Sequence, residues 1–234
     1  MTSKFVQSTL VAPLALLPLL ASAETFLIQS GQDSAPYAFL PDLPRGFHNT
    51  AYAFTNNLDN TDHSFEYYIQ FDLPPELSAP ETVVDHAFAW VYYGFDFILF
   101  GDTTGENGAI DCREVLEPWS QTNLTWNNRP AVGPVFDGWA DVTERGMYWC
   151  DVTNLVRGWV DGAKPNNGIA ITSDELRVIG FWTFDDGTVS PNFKPSLLVE
   201  TVPEPTTAVA LIAGVCLLSV LARWRHAPLI SEEE

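Results

Sequence analysis

Histidine and carboxylate side chains, which often carry catalytic and metal chemistry, occur in this sequence without the spacings that such chemistry needs. No His-x-His pair is formed by the four histidines, His48, His63, His86 and His226. The chain contains neither a Gly-x-Ser-x-Gly nucleophile motif nor a Gly-rich Walker loop. Asp185 with Asp186, and Asp111 with Glu114, could stand at glycosidase distance, but 30 Asp and Glu residues make such pairs expected by chance. The sequence therefore predicts no catalytic residue and no enzyme.

Two short acidic segments have the oxygen ligands that calcium prefers. They are Asp59-Asn60-Thr61-Asp62 and Asp185-Asp186-Gly187. Neither has the spacing of an EF-hand loop, and ordinary turn chemistry explains both segments equally well. Structural calcium is therefore left open, the metal ligands stay unknown, and no other cofactor is expected.

Tryptophan is the residue type that most favours binding. Sugar rings present apolar C–H faces that stack on exposed aromatic rings, and their hydroxyls pair with Asp, Asn and Arg. Most Trp side chains of a small β-sandwich belong to its core, and we expect this of Trp126, Trp159 and Trp182. Trp139 and Trp149 flank Gly146 in a polar segment for which the sequence predicts irregular structure. These two are the predicted carbohydrate-binding residues.

The charge between Glu24 and Thr201 limits the choice of partner. This segment has 26 Asp and Glu against eight Lys and Arg, a net charge of −18. Such a domain repels nucleic acid and suits divalent cations or neutral partners, although a merely solvated acidic surface would look the same. Direct binding of a polyanion such as alginate is disfavoured, unless calcium bridges the two or three of the segment's six arginines, Arg113, Arg129 and Arg145, form a local basic patch.

The cysteines point to an oxidising compartment. Cys216 lies in an apolar run near the C-terminus, which leaves Cys112 and Cys150 as a pair. In an exported protein such a pair predicts one disulfide, and closing a 38-residue loop would stabilise the fold by about 3–4 kcal/mol. Two buried free thiols are the alternative. Metal binding is less favoured because no histidine is near either cysteine.

The secondary structure that must position these residues is predicted to be almost entirely β-strand. Strands are predicted where aromatic and β-branched residues are dense, and Pro or Gly clusters such as 41–44 and 101–108 separate them as loops. The predicted strands are 65–71, 83–100, 168–172, 178–184 and 196–200. In the strand 83–100 the side chains on both faces are apolar. This is expected if the strand is covered on both faces, or if one face is wide enough to hold a ligand. The fold class is therefore all-β, a jelly-roll-like β-sandwich.

One segment, Asp151 to Val160, departs from the strand pattern. Its apolar residues Val152, Leu155, Val156 and Trp159 fall at helical spacing. Asp151 or Thr153 can cap the start, and Gly162 can close the end. We predict one short helix that plugs an end of the sandwich with Trp159 turned inward.

Both termini carry export signals. Lys4 precedes an apolar stretch from Leu10 to Leu20, and Ala21-Ser22-Ala23 offers signal peptidase small residues at Ala21 and Ala23. Near the other end, an uncharged apolar run from about Thr206 to Ala222 is just long enough for a membrane-spanning helix. Arg223 and Arg225 follow it and would hold that end in the cytoplasm.

The order of these C-terminal parts resembles the PEP-CTERM sorting signal of Gram-negative bacteria. Val202, Pro203, Glu204 and Pro205 match its motif, and the apolar run and the arginine cluster follow in the family's order. Members usually stop soon after the basic cluster, whereas this chain continues to Glu234. The resemblance implies recognition by an exosortase in the inner membrane, cleavage, and passage to the cell surface or extracellular matrix. A plain membrane anchor is the alternative.

The middle of the chain resembles the DNRLRE (disaggregatase-related) domain. The matching elements are Phe71-Asp72-Leu73, Trp119, 124–130, 151–159, 166–171 and 195–199. Residues 24–64 match poorly and could form an irregular first strand and loop. The resemblance implies a β-sandwich module of secreted proteins, often attached to polysaccharide-active enzymes, and some relatives are described as carbohydrate-binding modules.

Together these features predict four parts: a signal peptide at 1–23, a β-sandwich ectodomain at 24–201, a sorting signal with a transmembrane helix at 202–226, and an acidic tail at 227–234. The expected protein is exported, anchored in the inner membrane for a time, and non-catalytic. Its partners would be signal peptidase, an exosortase and an extracellular polysaccharide, not nucleic acid. The alternatives are a structural matrix component and a polysaccharide-active enzyme.

Overall fold

The computed structural model describes residues 23–46, 50–53, 57–58, 61–79, 82–96, 108–173, 179–203, 214–215 and 218–219. The chain divides into two compact units, residues 23–204 and residues 1–22 with 205–234. Most of the second unit lies outside the described residues, including Ala21, Arg223, Arg225 and the acidic tail. Positions 214–215 and 218–219 are helical. Within the described parts of the chain, no helix has the length and apolar character to cross a membrane.

The unit at 23–204 is built from strands and one α-helix, as predicted. The strands are β1 (Glu24–Ser34), β2 (Thr50–Ala53), β3 (Asn57–Leu58), β4 (Thr61–Asp62), β5 (Tyr67–Phe71), β6 (Thr82–Asp96), β7 (Gly108–Val115), β8 (Val132–Val142), β9 (Gly146–Asp151), β10 (Ile169–Thr172), β11 (Ile179–Trp182) and β12 (Ser196–Pro203). The helix α1 spans Thr153–Val160, between β9 and β10. Short 3-10 turns occur at Pro75–Ser78 and Pro191–Phe193.

Ten strands form one antiparallel hydrogen-bonded sheet: nine follow one another in a continuous path, and β9 pairs with β6 beside that path. Strand β1 belongs to both halves of the sheet. The first half of β1, through Gln29, pairs with β12; its second half, from Ser30, pairs with β5. The register shifts between Ser30 and Gln32, at the bulge that carries the strand from one half to the other. The first layer holds β9, β6, β12 and β1, with β11 and β2 continuing beside the far end of β6. The second layer holds β1, β5, β10, β7 and β8.

The two layers pack face to face around one hydrophobic core. From the first layer Ala89, Val91 and Leu197 point inward, and from the second layer Ile69 and Ile171 do so. All are at most 2% exposed. Alternation along each strand puts every second side chain into this core, which is the sandwich arrangement that the sequence predicts.

Helix α1 closes one side of this core. Leu155, Val156 and Trp159 are buried, as their spacing predicts. Thr153 is not the capping residue, because its Oγ1 accepts a hydrogen bond from the N–H of Ala87 in β6 at 2.9 Å. Asp151 instead accepts from the N–H of Thr153 at 2.9 Å, and Gly162 ends the helix with a φ of +69° that favours glycine.

A disulfide joins Cys112 of β7 to Cys150 of β9, which confirms the predicted pairing. Their Cα atoms lie 6.4 Å apart, and both residues are buried. Because β7 belongs to one layer and β9 to the other, the covalent bond fastens the two layers together.

Several boundaries differ from the sequence prediction. Residues 132–151 form strands β8 and β9, so the expectation of an irregular segment around Gly146 was wrong. The strand β12 extends to Pro203, and Val202 and Pro203, the first half of the predicted sorting motif, pair with Val83 and Thr82. Glu204 and Pro205 lie outside the described residues.

Candidate functional site

The outward side of the first layer carries a row of large apolar side chains. Residues directly paired across antiparallel strands point to the same side of a sheet. Phe88 pairs with Leu198, Trp90 with Trp149, and Tyr92 with Met147. Their inward neighbours on β6, such as Ala89 and Val91, fill the core. We call the outward set Phe88, Trp90, Tyr92, Met147 and Trp149 the aromatic face.

The aromatic face is open to solvent at its β9 side. Trp149 is 52% exposed, and Trp90 and Tyr92 beside it are half-buried. The ring of Phe193, from the loop before β12, packs on Tyr92 with ring centroids 4.4 Å apart. Exposed indole and phenol rings on a rigid strand surface are what a sugar ring can stack on at little cost in conformational entropy.

Gly94 extends this surface. It has the same outward parity as Trp90 and Tyr92, and a Cβ at this position would collide with the indole of Trp182 from β11. The missing side chain therefore lets Trp182 lie across the outward side of β6. Trp182 is half-buried, so the expectation that it belongs to the core was wrong.

Trp139 supports Trp149 from the neighbouring strand β8. Its indole N–H donates to the carbonyl oxygen of Trp149 at 2.6 Å, and its ring meets that of Tyr148 edge-on at 5.4 Å. The structure thus brings together Trp139 and Trp149, the two predicted binding residues. Only Trp149 presents a largely exposed ring, whereas Trp139 packs partly against the core.

On β1, β12, β6 and β9, the residues that point to the same outward side as the aromatic face include few charged groups and no Lys or Arg. Their polar members are Thr25, Gln29, His86, Asp151, Ser196 and Glu200. Hydrogen bonds from the hydroxyl and backbone N–H of Thr153 lower the pKa of Asp151, so this carboxylate is ionised at neutral pH. The polar groups can accept hydrogen bonds from hydroxyls, but they offer no cation to an anionic sugar.

The outward side of the second layer is covered instead. There Leu124 of the segment 116–131 packs on Tyr68, Val115 and Ala170 of the strands, and the four form a small buried cluster. The indole N–H of Trp119 ties that segment down by donating to the carbonyl of Asn167 at 2.9 Å. Trp119 and residues 124–130 therefore belong to the segment that covers the second layer.

Within the covering segment, the guanidinium of Arg129 lies 3.7 Å above the ring of Trp126. Trp126 is half-buried, so its expected core position was also wrong, while Trp159 is buried as predicted.

The arginines that could have formed a basic patch lie on separate elements. Arg113 of β7 is 3.1 Å from Asp111, and Arg129 is 3.3 Å from Glu66. Arg145 is exposed in the turn between β8 and β9. Because two of the three are already paired with carboxylates, they add little attraction for a polyanion.

The described carboxylates of the two acidic segments accept hydrogen bonds from neighbouring protein groups. Asp62 accepts from the N–H of Ser64 at 2.9 Å, Asp185 accepts from the amide of Gln121, and Asp186 accepts from the N–H of Thr188 at 2.8 Å. Asp59 and Asn60 lie outside the described residues. Across the residues that the structure describes, no group of three or more His, Cys, Asp or Glu side chains is placed to hold a metal ion.

Comparison with known proteins agrees with a binding surface of this kind. A family model described as carbohydrate-binding module family 96 matches residues 47–201, about two-thirds of the chain. No curated protein shows a match to the sequence. The matched stretch contains β6 and β9, the strands that carry the aromatic face. The protein therefore belongs to carbohydrate-binding module family 96.

Proposed function

We propose that this protein is an exported, non-catalytic glycan-binding protein of the cell surface or extracellular matrix, and that it binds through the aromatic face. The observation that carries the proposal is the exposed ring of Trp149 beside Trp90 and Tyr92, on a member of a carbohydrate-binding family. Neighbouring large apolar side chains that are exposed together, as Trp149 (52% exposed) and Met147 (47%) are, often mark an interaction site.

The proposed ligand is an uncharged polysaccharide. The residues that point to the same outward side as the aromatic face include carboxylates and no Lys or Arg, and the surrounding domain is strongly acidic. From Phe88 to Gly94 the outward side of β6 extends for roughly 20 Å, at about 3.3 Å per residue. That length suits a short stretch of glycan chain better than one sugar.

A binding role without catalysis is supported by the contacts of the carboxylates considered above. Glu114 forms an ion pair with Lys164 at 2.7 Å, and Asp111 forms one with Arg113. Asp186 is buried and stabilises a local turn by accepting a hydrogen bond from the N–H of Thr188. Each of these groups is held by a structural partner, whereas glycoside hydrolysis needs a pair of carboxyl groups set on either side of the scissile bond as acid and as base or nucleophile.

The delivery route is proposed from the order of parts in the sequence. The signal peptide would bring the chain to the translocon, and Val202-Pro203-Glu204-Pro205 would be recognised by an exosortase outside the inner membrane. The resemblance to the DNRLRE domain covers much the same stretch as the family match and implies the same kind of secreted module.

A glycan screen tests the binding proposal. The full-length protein, made by periplasmic export and purified in a detergent without a sugar headgroup, would be screened against neutral polysaccharides and against alginate with a chelator. Binding to a neutral glycan that weakens in Trp149→Ala is expected. Inertness towards every glycan, with a surface defect on deletion, would favour a structural matrix component, and turnover of a polysaccharide would establish an enzyme.

A further inference from the structure

A cleft of about 490 Å³ opens beside the aromatic face, between β7, β8 and the start of helix α1. Its lining residues are Glu114, Phe136, Asp137, Asp151, Val152, Asn154, Leu155 and Lys164. A volume of this size falls within the range of small-molecule sites and is ample for one sugar ring.

The two walls of the cleft are fixed relative to each other. The Cys112–Cys150 disulfide links the strands behind them. Asp137 of β8 accepts a hydrogen bond at 2.6 Å from the N–H of Asp151, at the end of β9. A site held by a covalent bond and by a charge-assisted hydrogen bond is preformed, so a ligand would lose little free energy in ordering it.

The lining combines one apolar wall with hydrogen-bonding groups. Phe136 is 38% exposed, and its ring offers a surface for the C–H side of a pyranose. Asn154, near the start of the helix, is exposed and carries both an amide donor and an acceptor. Lys164 and Glu114 form an ion pair at 2.7 Å, so the lysine charge is already compensated. With two further carboxylates in the lining, a uronate or sulfate would be repelled.

The cleft adjoins the aromatic face through Asp151. This residue pairs with Phe88 across β6 and β9, one row beyond the pair of Trp90 and Trp149. A glycan chain stacked on the aromatic face can therefore run past Phe88 and place its next residue in the cleft.

We propose that this cleft is a second subsite, which takes one uncharged pyranose residue of the glycan that lies on the aromatic face. The proposal rests on the proposed function and adds a length requirement to it. Oligosaccharides that fill both sites bind more tightly than those that cover the aromatic face alone.

The test compares two neighbouring exposed apolar residues of β8. Phe136 lines the cleft, whereas Val135, which is 45% exposed, does not. Calorimetric titration of full-length wild type, Phe136→Ala and Val135→Ala would use cellohexaose, xylohexaose, mannohexaose and N-acetylchitohexaose, and the trisaccharides of the same series. For the hexasaccharide that binds, we expect Phe136→Ala to weaken affinity about fivefold to tenfold and Val135→Ala to have no effect. The trisaccharide affinity should not change in either variant.

The failure of this subsite can be distinguished from failure of the proposed function. If Phe136→Ala and Val135→Ala bind the hexasaccharide as wild type does, the subsite is wrong while the aromatic face stands. If wild type binds none of the probes, both proposals fail for neutral glycans. Asn154→Ala, an exposed change, repeats the test should Phe136→Ala fold poorly, and its hexasaccharide affinity should fall at least twofold. An unchanged affinity in that variant would also overturn the subsite.

Discussion

Replacing Trp149 by alanine is the most informative single change on the aromatic face. An aromatic side chain can bury 150–250 Å² in total. Since Trp149 is 52% exposed, roughly 100 Å² of it is available to a ligand. A sugar stacked on one side of the ring would cover about half of that area. At 25 cal/mol per Å² the loss is about 1.2 kcal/mol, or roughly an eightfold rise in Kd.

Isothermal titration of the neutral glycan that binds most tightly measures this loss. Phe39→Ala is the matched control, because Phe39 is 51% exposed but lies in the loop after β1, where its ring stacks on His63 at 4.9 Å. Its Kd should equal that of wild type. Both variants should keep the wild-type unfolding temperature, since each ring is half in water.

Two results would refute the reasoning about Trp149. One is a Kd within twofold of wild type for Trp149→Ala. The other is an equal loss in Phe39→Ala, which would show that any exposed aromatic residue of this domain contributes to binding.

Three further predictions concern stability and processing. Replacing Cys112 and Cys150 by alanine should lower the free energy of unfolding by about 3–4 kcal/mol, and denaturant titration should show the same loss in reduced wild type; free thiols in periplasm-made protein would contradict this. Burial raises the pKa of Asp33 from 3.8 to about 6, so its contribution to stability falls as the pH rises through that interval. Asp33→Asn should therefore be more stable than wild type at pH 7, by up to roughly 3 kcal/mol, and no more stable at pH 3.5; equal urea midpoints at pH 7 would argue against a buried charge. Changing Pro203-Glu204-Pro205 to three alanines should leave export intact, and cell fractionation should show a full-length inner-membrane form that accumulates. If the variant is trimmed at the wild-type rate, the tail is only an anchor.

Elements set by local pattern were predictable from the sequence. Helix α1 follows from apolar residues at helical spacing and the glycine at 162, and both signals act within a few residues. Strands β5, β10, β11 and β12 follow from dense β-branched and aromatic residues, although their ends shift by one to three positions. The disulfide followed from export and from the count of cysteines.

Strands β8 and β9 were missed because their extended conformation depends on distant partners. Glycine and proline at 133, 134, 138 and 146 weaken any local strand signal. What holds β9 extended is its pairing with β6, more than 50 residues earlier in the chain. Trp149 was identified as exposed, but the reason given, an irregular segment, was wrong.

The candidate site was only partly predictable, for a related reason. The sequence showed that both sides of β6 are apolar, and it could not tell whether the outward side is covered. That depends on tertiary packing, because segment 116–131 covers the second layer and leaves Trp90 and Tyr92 of the first layer near the surface. The cleft beside Phe136 combines β7, β8 and α1, and no local pattern brings these together.

The indole N–H signals of the tryptophans report most directly on where glycan binds. Nitrogen–proton correlation spectra of the full-length protein, assigned with Trp→Phe variants, would be recorded while the best neutral oligosaccharide is titrated. The signals of Trp149 and Trp90 should shift with one common Kd. The signal of Trp119, whose N–H is bonded to Asn167 beneath the covering segment of the other layer, should stay in place. Shifts at Trp119 and Trp126 with an unchanged Trp149 would put the ligand on the opposite layer and contradict glycan binding by the aromatic face.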